Sequence, residues 1–437
     1  MPFPLKSPRL RRILLAYTVN RLGTWFGLVA LSLAVFDHTH NALAVAALLL
    51  AWQALPAFVV PAVIARIESS QRRGELSALY VFEALVTAGL AVLLWHFWLP
   101  VVLLLAALDG TAALAANALL RAEVAKAARD QVTAQPAEDM PPDGSREDRA
   151  QEAERKANAA LNVAFSATFV LGPVLGGFVV AAAGAPEALF IDVGSFLICG
   201  ALLIDLHPHI EEAGDSVRAR LRAAWRHINE APTLRGLLLA DTIALVFFNS
   251  AGPIEVTYVK ATLHAGDRGY GLLLTTWGAG AVLGSLVFAR SLQRPLGTML
   301  SAGAFAIGLA YIGLAAAPTL GLACVAALVG GIGNGVELPS LFSLVQRLSP
   351  QNLHGRLMGA VESLTALSVA IGLPLGGALV ALSSSRVAFL VVGLGTVGAS
   401  VTLLRVSRRR PTPTVDIEEP ALVTTSPMSE VHEPSSH

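Results

Sequence analysis

Arg21 and Asp109 stand inside two long apolar runs, where an ionisable side chain is costly and by default serves a function. With each run taken as a helix, Arg21 lies about 12 Å and Asp109 roughly 13 Å from the nearer end. Both therefore approach the middle of a hydrocarbon core of about 30 Å. Opposite charges at that depth are candidates for a pair, which either serves a function or is a static ion pair that merely neutralises two buried charges. Glu255 and Glu337 fall in two further apolar runs and are expected to take a cation or proton, with Glu83 as a further acid in a third. Asn20, Asn117, Asn249 and Asn334 supply polar handles, and Trp25, Phe26, Phe247 and Phe248 supply apolar surface. That mixture suits an amphipathic or aromatic solute better than a sugar, which needs many polar groups matched to its hydroxyls. Asp192, Asp205 and Asp241 fall near run ends and are expected at the interface.

These groups must be held by helices that cross a membrane. Twelve apolar runs lie near 13–36, 43–66, 76–97, 100–120, 157–183, 188–206, 235–259, 270–290, 298–316, 319–343, 357–382 and 387–405. About 20 residues suffice to span a bilayer as a helix. The gaps between runs alternate in Lys and Arg: 27 fall on one side, 3 on the other (Lys260, Arg268 and Arg386), and Arg21 lies within a run. Positive charge is retained on the cytoplasmic side, so both termini are expected there, in the cytoplasmic (inner) membrane.

Composition narrows the chemistry. Net charge is zero and mean hydropathy +0.62, which fits a lipid bilayer as partner and no nucleic acid. The two cysteines, Cys199 and Cys324, each lie within a run, so neither a disulfide framework nor a multi-cysteine metal site is expected. None of the four lysines follows a glycine, which excludes a Walker phosphate loop. His432-Glu433-Pro434 cannot form the helix that a metalloprotease motif requires. No nucleophile and base combination appears, so neither an enzyme nor a cofactor is expected.

The two halves of the chain echo each other. Gly172-Pro173-Val174-Leu175-Gly176-Gly177 recurs as Gly372-Leu373-Pro374-Leu375-Gly376-Gly377. The glycines strip one helix surface so that a neighbouring backbone approaches, and Pro173 permits a bend. The expected units are an N-terminal six-helix half at 1–206, a linker at 207–234, a C-terminal six-helix half at 235–405 and a disordered cytoplasmic tail at 406–437. A polar insertion interrupts the first half near 129–155, and Ser145-Arg146-Glu147-Asp148 within it resembles a capping box that starts a helix running into the fifth run. In the linker, Val217, Leu221, Ala224, Trp225 and Ile228 recur at helical spacing among arginines, the pattern of an amphipathic helix on a lipid surface.

Two parallel six-helix repeats are the architecture of the major facilitator superfamily. The stretch from Lys156-Ala157-Asn158-Ala159 through the Gly-Pro motif to Ser195-Phe196-Leu197 resembles its branch of enterobactin exporters and macrolide efflux proteins. So does the stretch from Gly331-Ile332-Gly333-Asn334-Gly335 to His354-Gly355-Arg356. The chain departs from relatives in carrying Thr24 where one has an acid, and in keeping only Arg72-Arg73 of the charged loop after the second span.

The resemblance implies an all-α membrane protein of twelve transmembrane helices in two pseudo-repeats, with the spans bearing Arg21, Asp109, Glu255 and Glu337 around a central cavity. Arg66, Glu68 and Arg72 lie level with Glu362 and are expected to form an inner gate. The expected function is secondary active export of a hydrophobic drug, macrolide-like compound or siderophore by alternating access, with a proton as counter-ion. Uptake or facilitated movement of a small metabolite, or a non-transporting sensor of the same fold, are the alternatives.

Overall fold

The computed structural model describes residues 7–56, 59–60, 63–64, 74–133, 146–204, 225–291, 293–349 and 353–408. Among them lie eleven helices long and apolar enough to cross a membrane, together with a shorter apolar helix at Ala42–Ala54 where the second span is expected. In chain order they are α1 (Pro8–Thr39), α2 (Ala42–Leu49, continued by a π-turn at Leu50–Ala54), α3 (Glu75–Leu93), α4 (Leu99–Thr133), α5 (Arg146–Ala183) and α6 (Ala185–Leu202). The second set is α7 (Pro232–Thr257, with a π-turn at Tyr258–Thr262), α8 (Gly266–Arg290), α9 (Leu296–Ala316), α10 (Leu320–Arg347), α11 (His354–Leu382) and α12 (Ser385–Ser407).

Helix ends follow local chemistry. Ser7 caps α1 by accepting from the Leu10 N–H, Thr319 caps α10 by accepting from Leu322, and Ser384 caps α12 by accepting from Val387, each satisfying a backbone donor that a helix start leaves open. α5 begins at Arg146 and runs unbroken to Ala183. Arg66, Glu68, Arg72, Ser145, Val217, Leu221, Ala224, residues 134–145 of the polar insertion and the tail beyond 408 lie outside the described residues.

The repeated glycine motifs do equivalent work in the two sets. Gly172 and Gly176 lie against Trp25 of α1, while a Cβ on Gly177 would stand 2.9 Å from the Gly271 Cα of α8. In the second set, Gly372 and Gly376 lie against the α7 carbonyls of Val246 and Ser250, and a Cβ on Gly377 would stand 2.9 Å from the Ala46 side chain of α2. Each motif thus presses its own set's first helix and one helix of the other set, and the cross-set seams are α5 with α8 and α2 with α11. Close backbone approach of this kind is how helices associate without a hydrophobic driving force between them.

Packing differs between the two faces of the bundle. On the face where α1 ends and α2 begins, one core runs through both sets, from Val35 and Val45 to Ile254, Tyr258 and Phe389. On the face bearing the helix ends nearest the chain termini, here the terminal face, two separate cores form. One holds Ile13, Tyr17, Leu120 and Leu203, the other Leu237, Leu300, Leu357 and Leu403. Among the described residues, packing therefore joins the two sets on the opposite face and parts them toward the terminal face.

Candidate functional site

Between the two sets, at mid-depth, lies a cavity of two lobes that share Trp25, Leu28 and Gln53. The first lobe, about 360 Å³, lies within the first set and is lined also by Arg21, Thr24, Trp52 and Asn117. The second, about 190 Å³, crosses between the sets, with Phe169 on one side and Phe248, Glu255, Trp277 and Tyr311 on the other. Trp52 and Gln53 belong to the π-turn of α2, a local widening of the helix that recurs at functional sites.

The walls are aromatic and braced. Trp25 meets Phe169 edge-on at 5.2 Å, and Phe169 stacks on Phe165 at 5.7 Å. Across the cavity, Phe248 packs on Trp277 at 5.9 Å and Trp277 stacks on Tyr311 at 5.6 Å. Such surfaces accept planar apolar solutes, and their ring faces attract cations. Glu255 is the carboxylate lining the second lobe, and no ion pair with it is formed among the described residues.

Of the residues expected at the site, Arg21, Asn249 and Glu255 line this cavity together with Asn117, Trp25 and Phe248. The expected pairing of Arg21 with Asp109 does not form. Asp109 accepts from Trp52 Nε1 at 2.9 Å and from Thr87 Oγ1 at 2.8 Å, so neutral donors occupy both its oxygens. The Arg21 guanidinium lies instead over the Phe165 ring at 5.0 Å. Asn20 is buried within the helix packing and takes a 3.4 Å bond from Thr24 on Oδ1. Glu337 is buried against Gly303 of α9, away from both lobes. Glu362 is exposed on α11, and its three expected gate partners lie outside the described residues.

Asp192 and Asp241, expected at the interface, are both 3% exposed. The helices begin at Ala185 and Pro232, ahead of the expected runs, which sets both aspartates about two turns inside, and Asp192 packs against Gly23 and Gly27 of α1. Sequence reasoning also missed a contact on the closed face. Lys260, in the π-turn of α7, lies 2.8 Å from Asp37 at the end of α1 and 2.5 Å from Asp267 at the start of α8. Nearby, Arg268 lies over Phe178 of α5 at 5.4 Å, a second contact between the sets. The three charged residues sit near gap boundaries and carry no motif; only their exclusion from the apolar runs hinted at them.

Comparison with known proteins places this geometry. The family model described as Major Facilitator Superfamily matches residues 237–434. A multidrug efflux pump, Tap, from Mycolicibacterium fortuitum is 27% identical over 248 residues, covering 54% of this chain and 60% of that protein. The chain thus spans less than two thirds of the length of that relative. Among solved structures, a bacterial homologue of the iron transporter ferroportin in an inward-facing state superposes with a TM-score of 0.68 at 17% identity, covering 92% of this chain and all of that one. The nucleoside transporter NupG gives 0.68 at 13% identity, with 92% and 98% covered. The chain thus shares its fold with these transporter structures, and its residues 237–434 resemble the major facilitator superfamily.

Proposed function

We propose that this protein is a secondary active exporter of aromatic, amphipathic compounds that carry a positive charge. The observation that carries the reading is the mid-depth cavity of facing aromatic walls with Glu255 among them, closed toward one face and parted toward the other. A carboxylate in an apolar site favours a cation that brings its own aromatic surface, since rings and charge then both find partners. The likeness to a multidrug efflux pump supports export over uptake. Two six-helix units, 1–206 and 235–405, rock about the cavity, and inward flow of protons drives the solute out.

The Lys and Arg distribution supports an inner-membrane placement with both termini in the cytoplasm. The parted face is then the loading face. The test uses purified protein in liposomes with ethidium, an aromatic cation, as probe. Exchange of ethidium across the membrane without a gradient, and its accumulation when a pH gradient is imposed, are the expected results; absence of both removes the reading.

A further inference from the structure

Each lobe of the cavity carries one charged side chain among its described lining residues, and the two charges are opposite. Arg21 is that of the first lobe, beside Thr24, Gln53 and Asn117, and Glu255 is that of the second. No described acid balances Arg21 within its own lobe. Asp109 is bound to Trp52 and Thr87, and Glu83 and Asp192 are buried outside that lobe.

Arg21 forms no ion pair among the described residues, and its Nε, shut off from solvent, has no hydrogen-bond partner among them. The guanidinium rests on the face of the Phe165 ring, a contact that engages its charge and none of its N–H donors. A cation at this depth is costly until an anion meets it, and no described residue of the lobe supplies one.

The two charges stand at the ends of one aromatic ledge. Phe165, under Arg21, stacks on Phe169 at 5.7 Å, and Phe169 meets Trp25 edge-on at 5.2 Å. Trp25 lines both lobes, and Phe169 lines the second together with Glu255. A flat ring system laid along this ledge reaches a group for an acid at one end and a group for a base at the other. The way in from the terminal face keeps the sign of the first lobe. α4 presents Gly110, Ala113, Leu114 and Asn117 to it, and the next charged residue on that stripe, one turn toward the terminal face, is Arg121. Arg121 is exposed and forms no ion pair among the described residues.

We infer that Arg21 is a specificity-determining residue that receives an anionic group of the solute. The preferred solutes are then aromatic compounds with an acid at one end and a base at the other, the acid in the first lobe and the base beside Glu255. The planar fork of Arg21, with the amide of Gln53 on the same lobe, suits a carboxylate, whose two oxygens accept from parallel N–H donors. The inference deepens the exporter reading and rests on it for the solute's place in the cavity, while recognition of the acid is measured by binding alone.

Two dyes of one ring skeleton test it. Rhodamine 110 carries a delocalised positive charge on its xanthene and a carboxylate on its pendant ring; rhodamine 123 is its methyl ester and keeps the positive charge alone. Binding of each to purified protein in detergent is followed by fluorescence polarisation. The wild type should bind the acid about 10-fold or more tightly than the ester, as one charge-assisted hydrogen bond implies. Arg21→Gln should bring the two affinities together, and Arg21→Lys, which keeps the charge, should retain a preference for the acid. Glu255→Gln should weaken both dyes alike and leave their ratio as it was. Equal affinities in the wild type, or an unchanged preference in Arg21→Gln, overturn the inference, and the wild-type comparison decides even where a variant misfolds.

Transport of the same dyes in liposomes is measured separately. If they bind with this pattern and neither crosses the membrane with or without a pH gradient, the exporter reading fails and the acid-binding role of Arg21 stands. If both cross and the wild type binds them equally, the exporter reading stands and the role of Arg21 fails. If neither dye binds, the inference falls, and ethidium transport still decides the exporter reading.

Discussion

Lys260 Nζ stands 2.8 Å from Asp37 Oδ1, which ties the π-turn that ends α7 to the last turn of α1 and so fastens one helical set to the other on the closed face. The lysine ammonium is also held by Asp267 of α8. It is therefore shared between a carboxylate of its own set and one across the seam, and an opening motion breaks only the second contact. Partly exposed pairs of this kind contribute about 0.2–1 kcal/mol, enough to bias two conformations without locking one.

Asp37→Asn should accordingly shift the population toward a state open on that face, by up to about fivefold for about 1 kcal/mol. Labelling of a cysteine placed at Gln53, in the shared part of the cavity, by an impermeant thiol reagent added on the closed face reads this directly. Raising ionic strength should move the wild type the same way, because salt screens an exposed pair. Equal labelling of variant and wild type would show that packing alone closes the face.

Packing has its own test at the neighbouring seam. A Cβ on Gly177 would stand 2.9 Å from Gly271 Cα and 3.0 Å from the Asp267 carbonyl, so no flexible side chain can yield to it. Gly177→Val should lower thermal stability by roughly 1–3 kcal/mol, the usual cost of overpacking, and raise labelling on the same face. A substitution at Gly359 of α11, where no atom lies within 4 Å of the added Cβ, serves as the control and should leave both measurements unchanged.

How much of this was legible in the sequence follows from which signals are local. Span length and basic-residue counts depend on stretches of chain, so eleven of the twelve expected spans emerged as long helices. Only part of the second expected span lies among the described residues, and the π-turn at Leu50–Ala54 within it leaves no compositional mark. The glycine motifs were also legible, since a stripe of small residues announces close approach, but the partners of Gly177 and Gly377 lie in the opposite set. Depth along a helix could not give the partners of Asp109. Those depend on rotation about the helix axis, which turned Asp109 toward Trp52 and Thr87. Glu83, Asp192 and Lys260 were underrated for the same reason: burial and pairing are properties of neighbouring helices.

Glu255 should set which solutes are accepted. Glu255→Gln keeps the shape of the second lobe and removes its negative charge, so export of ethidium should fall by about 10-fold or more, as expected for losing roughly 1.4 kcal/mol of charge recognition. Export of a neutral aromatic compound of similar size should change much less. Flux measured for the two probes in the same liposomes checks this, and parallel loss of both would mean that Glu255 acts on the transport cycle and not on selection.

Orientation can be read in intact cells. A cysteine at Thr39, at the closed face, should react with an impermeant reagent from outside, while one at Glu147, in the first turn of α5, should react only after the membrane is permeabilised. Reversed labelling would place the termini outside and make the parted face the release face.

The separation of Arg21 from Asp109 yields the sharpest expectation for the site, because a paired and an unpaired arrangement differ in additivity. If the two charges neutralised each other, removing either would strand its partner, and the double variant would recover much of the loss. With Asp109 held by Trp52 and Thr87 and Arg21 laid on Phe165, Arg21→Ala and Asp109→Asn should instead combine additively. The coupling in a double-mutant cycle of thermal stability should stay within about 0.5 kcal/mol. Arg21→Lys supplies a second reading: it keeps the charge and loses the planar group that lies on the ring, so it should impair ethidium flux nearly as much as Arg21→Ala. A coupling energy well above that bound, together with full rescue by lysine, would mean that the two residues pair during the transport cycle even though they stand apart in this conformation.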